Sequence, residues 1–485
     1  MKVIAHRAQT WLLRRVLPSV WWLFGETADS RSEQRTDSAT PYVPRGFRMS
    51  VNTVMLMINA IISATLGYPF WLLATRLFDP AAVGLGSAAI SAIRLCSQIG
   101  LLGIGAAVTL LLPRQQQHPS DLLNAAITSV TVSALIFGSG FLVLAAVFFH
   151  QFRFLVVSPA YALAFLALNV VSVLVILQDS IFIALRRADR VAARSIAQAF
   201  AAIATLGVAS LVLHAGGVPA ILLAWIGAFV ASSLLGYWYL RRNVAGYKFR
   251  PLATRATTRS LLHVGIPQSM LNLSIAAPGF ILPILVTEVL SPTSNAYWYI
   301  VWMFGGLVFA VPKAASGALF AESSHAPAKA NQQARQSIRL CLILGLPMAA
   351  GMALFANWGL QLMGSAYAHA GATPLRILVL GTFPSTLIYA FISRERSANR
   401  TCEPTLLAIS SGVLSVIGAV FGGIYAGLMG VAIAWVLAQF VIAVWAGWRL
   451  RDAYGFGAVD SSAGTTTDEL TRLWPSDPGR ANSLD

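Results

Sequence analysis

Long apolar runs separated by short polar stretches occupy the chain from about residue 50 to residue 450. A helix needs roughly 20 apolar residues to cross a bilayer. The pattern therefore predicts twelve membrane-spanning helices, near 51–75, 83–112, 122–149, 155–184, 191–213, 218–240, 260–287, 294–320, 338–360, 373–393, 404–426 and 428–448. The tightest predicted connection is the hairpin at 424–430, which reads IYAGLMG.

Polar segments flank this apolar block. The stretch WLLRRVLPSVWWLF (11–24) mixes basic, Trp and aliphatic residues, which is typical of either a helix on the membrane surface or a poorly ordered basic tail. Residues 26–47 are polar and contain proline, and so predict a linker. The predicted organisation is a cytoplasmic N-terminal segment (1–47), an N-lobe of six helices (48–240), a basic cytoplasmic linker (241–259), a C-lobe of six helices (260–450) and a disordered cytoplasmic tail (451–485).

An internal similarity supports the two lobes. The stretch FWLLATRLFDPAAVGLGSAAI (70–90) aligns with FILPILVTEVLSPTSNAYWYI (280–300) at an offset of about 210 residues. Each stretch is an apolar helix end, a short polar step with a proline, and a second apolar helix. Six helices, a linker and six more in the same orientation form a parallel repeat, which transporters use to place a cavity between two lobes.

Composition agrees with a membrane protein and changes the interpretation of the charge. The chain is 57% hydrophobic and 11% charged, with a mean hydropathy of +0.69, whereas soluble domains carry about 25% charged residues. The net charge of +16 would suggest nucleic acid in a soluble protein. Here 29 of the 34 Lys and Arg residues fall on the side of the predicted termini, and three fall in the opposite loops. By the positive-inside rule, we expect a multi-pass protein of the cytoplasmic membrane with both termini cytoplasmic, and no nucleic-acid partner.

Two cations remain inside predicted spans, and the first is Arg94. It lies about twelve residues from the outer end of span 2, or roughly 18 Å deep. Burial of arginine at that depth is costly, so we expect it to face a wet internal cavity. It either contacts an anionic substrate, since guanidinium matches phosphate geometry, or bonds to helix carbonyls and holds two helices together.

Lys313 lies nearer the cytoplasmic end of span 8, directly after Pro312. It either lines the same cavity or extends its ammonium to the membrane surface. Asp179 lies near the cytoplasmic end of span 4. It is a candidate ion-coupling site or one half of a charge pair with Lys313, Arg186 or Arg187.

Gln98 and several prolines are further candidates. Gln98 follows Arg94 by one helical turn and so shares its face. Helix bends are predicted at prolines that interrupt the first helix of each half and span 8, namely Pro69, Pro267, Pro278, Pro283 and Pro312. No catalytic residue, metal cluster or cofactor motif is evident, so we expect neither an enzyme nor a cofactor.

The step RLFDPAAVGLG (76–86), together with twelve spans in two parallel halves, resembles the bacterial polysaccharide-biosynthesis flippases of the multidrug/oligosaccharidyl-lipid/polysaccharide exporter superfamily. That family's first hairpin often reads Arg-Leu-Gly-Pro-acidic-x-Gly. Here Phe78 replaces the usual glycine, and Asp79 precedes Pro80 instead of following it.

The resemblance implies an all-α, two-lobed transporter with a central basic cavity. It would move an undecaprenyl-diphosphate-linked oligosaccharide outward by alternating access, in contact with the bilayer and with other polysaccharide-assembly proteins. Arg94 would then hold the diphosphate or an acidic sugar. A drug exporter of the same superfamily is the nearest alternative, although cation exporters tend to place acidic residues in the cavity. A membrane-embedded glycosyltransferase or polymerase is the second, and the short outer loops argue against it.

Overall fold

The computed structural model describes residues 67–114, 119–244, 247–250, 255–323, 330–398 and 400–453. The N-terminal segment, residues 51–66 of the first predicted span and the tail from residue 454 lie outside the described residues. In chain order the α-helices are α1 (Tyr68–Leu77), α2 (Pro80–Gly100), α3 (Ile104–Leu111), α4 (Pro119–Phe148), α5 (Phe154–Val157), α6 (Pro159–Ala184), α7 (Ala188–Leu211), α8 (Gly217–Asn243), α9 (Arg255–Val289), α10 (Pro292–Ser323), α11 (Ala330–Leu354), α12 (Ala356–Met363), α13 (Ser365–Leu378), α14 (Thr382–Ser397) and α15 (Cys402–Ala453). We call residues 67–244 the N-half and residues 255–453 the C-half.

The helices have the length and surface of a multi-pass membrane protein. Within the described residues, ten helical segments are long and apolar enough to span a bilayer. Large apolar side chains cover their outer faces, such as Phe148 with 67% of its surface exposed and Val444 with 72%. Lipid is the solvent that suits such a surface. The first predicted span is described only from residue 67, so the total of twelve and the six-plus-six repeat stay predictions.

The second predicted span is two helices instead of one. Helix α2 ends at Gly100 and α3 begins at Ile104. Between them Leu102 and Gly103 have positive φ values of 48° and 71°, and glycine tolerates this region at no steric cost. A Cβ at Gly103 would lie 1.9 Å from the carbonyl oxygen of Gly265 in α9. The break therefore brings the backbones of the N-half and the C-half into direct contact.

Helix α15 is a hairpin of two antiparallel arms. Its helical dihedrals fail at Ala426 and Gly427, inside the connection predicted at 424–430. The Gln439 amide donates to the hydroxyl of Ser411, 28 residues earlier, at 3.1 Å. In one straight helix these residues would be roughly 42 Å apart. The chain therefore reverses at residues 426–427, as the sequence predicts.

The turns after α1 and after α9 lie together at one end of the molecule, which we call the hairpin end. Both turns cap the next helix in the same way, because Asp79 accepts from the Ala82 amide at 3.1 Å and Ser291 accepts from the Ser294 amide at 3.0 Å. Each following helix starts with proline, the residue best suited to a first helical position. The two aligned stretches thus share their local structure.

The two halves touch closely at the hairpin end. The Asn295 amide donates to the Gly84 carbonyl at 2.9 Å, and Arg76 donates to the Leu362 carbonyl at 2.7 Å. A Cβ on Gly84 would lie 1.7 Å from the carbonyl oxygen of Pro292. Since backbone cannot move aside as a side chain does, only glycine permits this approach of α2 to α10.

Replacing Gly84 with alanine should therefore force α2 and α10 apart and destabilise the protein by about 1–3 kcal/mol, the usual cost of overpacking. Gly140→Ala is the matched control, because nothing lies within 4 Å of its Cβ position on α4. There alanine should be neutral or slightly stabilising through its helix propensity. Thermal unfolding of the purified variants in detergent measures both. An equal change in the two melting temperatures would contradict the close contact.

Candidate functional site

Arg94 lies inside the structure, between α2, on which it stands, and aromatic residues of α8 and α10. Its guanidinium carbon is 5.3 Å from the centroid of the Trp225 ring, a cation–π contact. The Tyr299 side chain, from the C-half, lies close enough to the guanidinium for an electrostatic interaction. Tyr299 in turn packs against Trp71, with ring centroids 4.7 Å apart. The cation thus lies beside aromatic residues from both halves.

The Arg94 guanidinium makes no hydrogen bond or ion pair with another residue in the described part of the chain. Some buried polar atoms of the described residues have neither a hydrogen-bond partner nor any exposed surface, and the nitrogen atoms of Arg94 are not among them. These nitrogen atoms therefore retain some accessible surface. An unpaired cation at this depth requires water or an anion. The alternative in which Arg94 locks two helices through backbone carbonyls finds no support in these contacts.

Lys313 lies on α10 and lines a cavity in the C-half, with a volume of about 590 Å³. We call it the C-half cavity. Lys313 is exposed there, and no ion pair or hydrogen bond joins it to other described residues. Its aromatic lining includes Trp302, Phe309, Tyr389 and Trp435. Arg94 does not line this cavity, so the structure does not bring the two cations onto one wall.

A single face of α10 connects the two cations. Tyr299, Trp302, Gly306, Phe309 and Lys313 fall at helical spacings of three or four residues, within a sector of about 80°. Tyr299 lies beside Arg94, whereas the last four line the C-half cavity. The distance along the helix from Tyr299 to Lys313 is roughly 21 Å. This α10 face therefore extends from the side of Arg94 to Lys313 in the C-half cavity.

Asp179 forms an ion pair with Arg194 of α7. Its carboxylate accepts from the guanidinium at 2.6 Å, and the partner is neither Lys313 nor Arg186 nor Arg187. Arg194 also donates to the carbonyl oxygens of Ser232 and Val175. The Arg194 side chain is 1% exposed, whereas that of Asp179 is 37% exposed. Helix α7 begins at Ala188 and carries Arg194 into the interior of the protein.

The remaining candidates are Gln98 and the prolines. Gln98 is half-buried one turn after Arg94, and its amide has no hydrogen-bond partner in the described part of the chain. Helix α9 continues through Pro267, Pro278 and Pro283, and α10 continues through Pro312. Pro69 lies in the first turn of α1. Bending at these prolines stays a prediction.

Sequence reasoning missed Arg194 and the aromatic residues around the cations. Arg194 was hidden because a basic cluster before an apolar run is usually a loop. The aromatic face of α10 had a usable signal in YWYIVWMFGGLVFAVPK (297–313), where Tyr299, Trp302, Gly306, Phe309 and Lys313 repeat at helical spacing. Trp225 and Trp435 carry no such signal, since their contacts come from distant helices.

Several solved structures resemble the chain. The lipid II flippase MurJ in an inward closed conformation superposes with a TM-score of 0.64 at 13% identity, and the match covers 84% of this chain and 87% of that chain. An outward-facing multidrug resistance MATE family transporter of the MOP superfamily gives a TM-score of 0.60 at 18% identity, over 84% and 96% of the two chains. An inward-facing MATE transporter gives 0.58 at 17% identity, over the same shares. At these identities the similarity concerns the fold.

Sequence comparison gives the family. No curated protein matches the chain significantly. The model of the polysaccharide biosynthesis protein family matches residues 50–311, more than half of the chain. The match includes α1 to α9, most of α10, and Arg94. The chain is thus a multi-pass membrane protein that belongs to the polysaccharide biosynthesis protein family and has the fold of MOP-superfamily transporters.

Proposed function

We propose that this protein is a flippase that moves a lipid-linked oligosaccharide, of the undecaprenyl-diphosphate type, across the cytoplasmic membrane. The observation that carries the proposal is Arg94, an interior cation without an acidic partner in the described part of the chain. A half-buried guanidinium beside aromatic residues, without an acidic partner, suits a diphosphate that must leave water. Family membership and the fold shared with a lipid II flippase support the same conclusion.

Transport by alternating access fits the contacts between the halves. In the predicted topology the hairpin end faces away from the cytoplasm. Release of cargo on that side requires the contacts of Gly84, Asn295 and Arg76 with the opposite half to separate. Alternating access by relative movement of the two halves would break and re-form these contacts in each transport cycle. The chemistry of the site is binding and displacement, so the proposal assigns no enzymatic step.

A reconstitution assay tests this function. Proteoliposomes would contain a short-chain polyprenyl diphosphate with an amino sugar and an NBD label on the head group. Dithionite added outside reduces only labels that reach the outer leaflet. We expect the protein to bring the inner pool of label within reach of dithionite. Transport of a cationic dye such as ethidium, with no movement of the lipid probe, would instead identify a drug exporter.

A further inference from the structure

The C-half cavity combines an aromatic wall with a set of unused hydrogen-bond donors. Trp435 lies 5.3 Å from Trp302 and 5.1 Å from Phe309, measured between ring centroids. The indole N–H groups of Trp302 and Trp435, the Tyr389 hydroxyl and the Lys313 ammonium have no partner in the described part of the chain. The polar atoms of these four groups all keep some accessible surface. They are therefore available to a guest in the cavity.

This combination points to a carbohydrate. A pyranose ring presents an apolar C–H face that packs against aromatic rings, and a rim of hydroxyl oxygens that accept hydrogen bonds. A polyprenyl chain would instead leave all four donors without partners in an apolar environment, which is unfavourable. No carboxylate lines the cavity among the described residues, and its one cation is Lys313. The donors and Lys313 thus favour an acceptor-rich guest with negative charge.

We propose that the C-half cavity is a glycan-binding subsite that packs a sugar ring against Trp302 and Trp435 and holds an acidic substituent of the glycan at Lys313. The inference rests on the proposed function, because it divides one cargo between two places. The diphosphate lies at Arg94, and the glycan extends along the α10 face toward Lys313. The roughly 21 Å between Tyr299 and Lys313 along α10 leaves room for more than one sugar.

Binding to the full-length protein in lipid nanodiscs tests the subsite. The two probes are a polyprenyl diphosphate without sugar and the same lipid with an acidic disaccharide of a hexosamine and a uronic acid. Trp302→Leu should weaken binding of the glycosylated probe about tenfold and leave the bare diphosphate unchanged. Trp302→Phe, which keeps an aromatic ring, should restore most of that loss. Trp448→Leu is the control, since Trp448 is 56% exposed and does not line the cavity.

Lys313→Gln gives a second, independent readout. It should remove the preference for the acidic disaccharide over a neutral one of equal length. Equal weakening of both probes by Trp302→Leu would show that the cavity holds the lipid chain, and would overturn the inference. So would a glycosylated probe that the wild-type protein binds no more tightly than the bare diphosphate, although the proposed function would survive that result. Failure of the wild-type protein to bind either probe would overturn both.

Discussion

Replacing Arg94 with alanine should reduce flipping of the lipid probe about 100-fold, with normal protein in the membrane. The reason is the loss of charge-assisted hydrogen bonds to phosphate, each of which contributes about 1.5–3 kcal/mol, and 2.7 kcal/mol corresponds to about 100-fold. Because Arg94 makes no hydrogen bond or ion pair within the described part of the chain, its removal leaves no protein group unpaired. The defect should therefore appear in transport and leave the melting temperature nearly unchanged.

Arg153→Ala is the matched control, because Arg153 is exposed beside α5. It should flip the probe at the wild-type rate. A host whose surface polysaccharide depends on this protein gives a second measurement. Polymer at normal levels with Arg94→Ala would remove the assignment of substrate contact to Arg94. Rescue by Arg94→Lys would show that charge suffices, whereas failure of lysine would indicate that the two-pronged geometry of guanidinium matters.

Replacing Asp179 with asparagine should destabilise the protein by about 3 kcal/mol, because it leaves the charge of Arg194 buried without its carboxylate. Arg194 is 1% exposed, so water does not compensate that charge. The carbonyl oxygens of Ser232 and Val175 still accept hydrogen bonds from Arg194. The expected loss of stability is therefore near the lower end of the range for a broken buried ion pair. The measurement is thermal unfolding in detergent, together with the amount of protein that reaches the membrane.

Asp189→Asn provides the comparison, because Asp189 lies on α7, the helix that carries Arg194. Asp189 pairs with Arg190, but its side chain is 57% exposed, and exposed pairs contribute about 0–1 kcal/mol. The double variant Asp179→Leu, Arg194→Met removes both charges and should recover most of the lost stability. If the double variant is stable yet does not transport, Asp179 has the ion-coupling role that its position allows. If it is stable and transports normally, the pair is structural.

The main features of the fold could be predicted because lipid imposes a simple requirement. Every span must be apolar and helical, and the runs in the sequence show this directly. The hairpin at 424–430 was also visible, since the apolar stretch is too long for one span and contains glycines at Gly427 and Gly430. The break at Leu102–Gly103 was not visible, because its apolar residues continue the run, and the backbone it packs against, at Gly265, lies 162 residues later in the chain.

The site could be predicted only as far as charge is conspicuous in an apolar run. Arg94 and Lys313 were identifiable for that reason. It could not be predicted that the two cations lie in different places, because this depends on how α2 and α10 pack. The ion pair of Arg194 was not predicted, since its carboxylate partner Asp179 lies on a different helix. Aromatic partners such as Trp225 gave no local signal, because only tertiary contacts define them.

Because Asp179 and Arg194 neutralise each other, Arg94 and Lys313 are left as two positive charges without a carboxylate partner in the described part of the chain. A diphosphate diester carries one negative charge on each phosphate, so the loaded and empty carriers differ electrically. A membrane potential acts on each net charge that crosses it with about 2.3 kcal/mol per 100 mV. Under the proposed function, the voltage across the membrane thus acts differently on the loaded and the returning steps, which gives the cycle a direction.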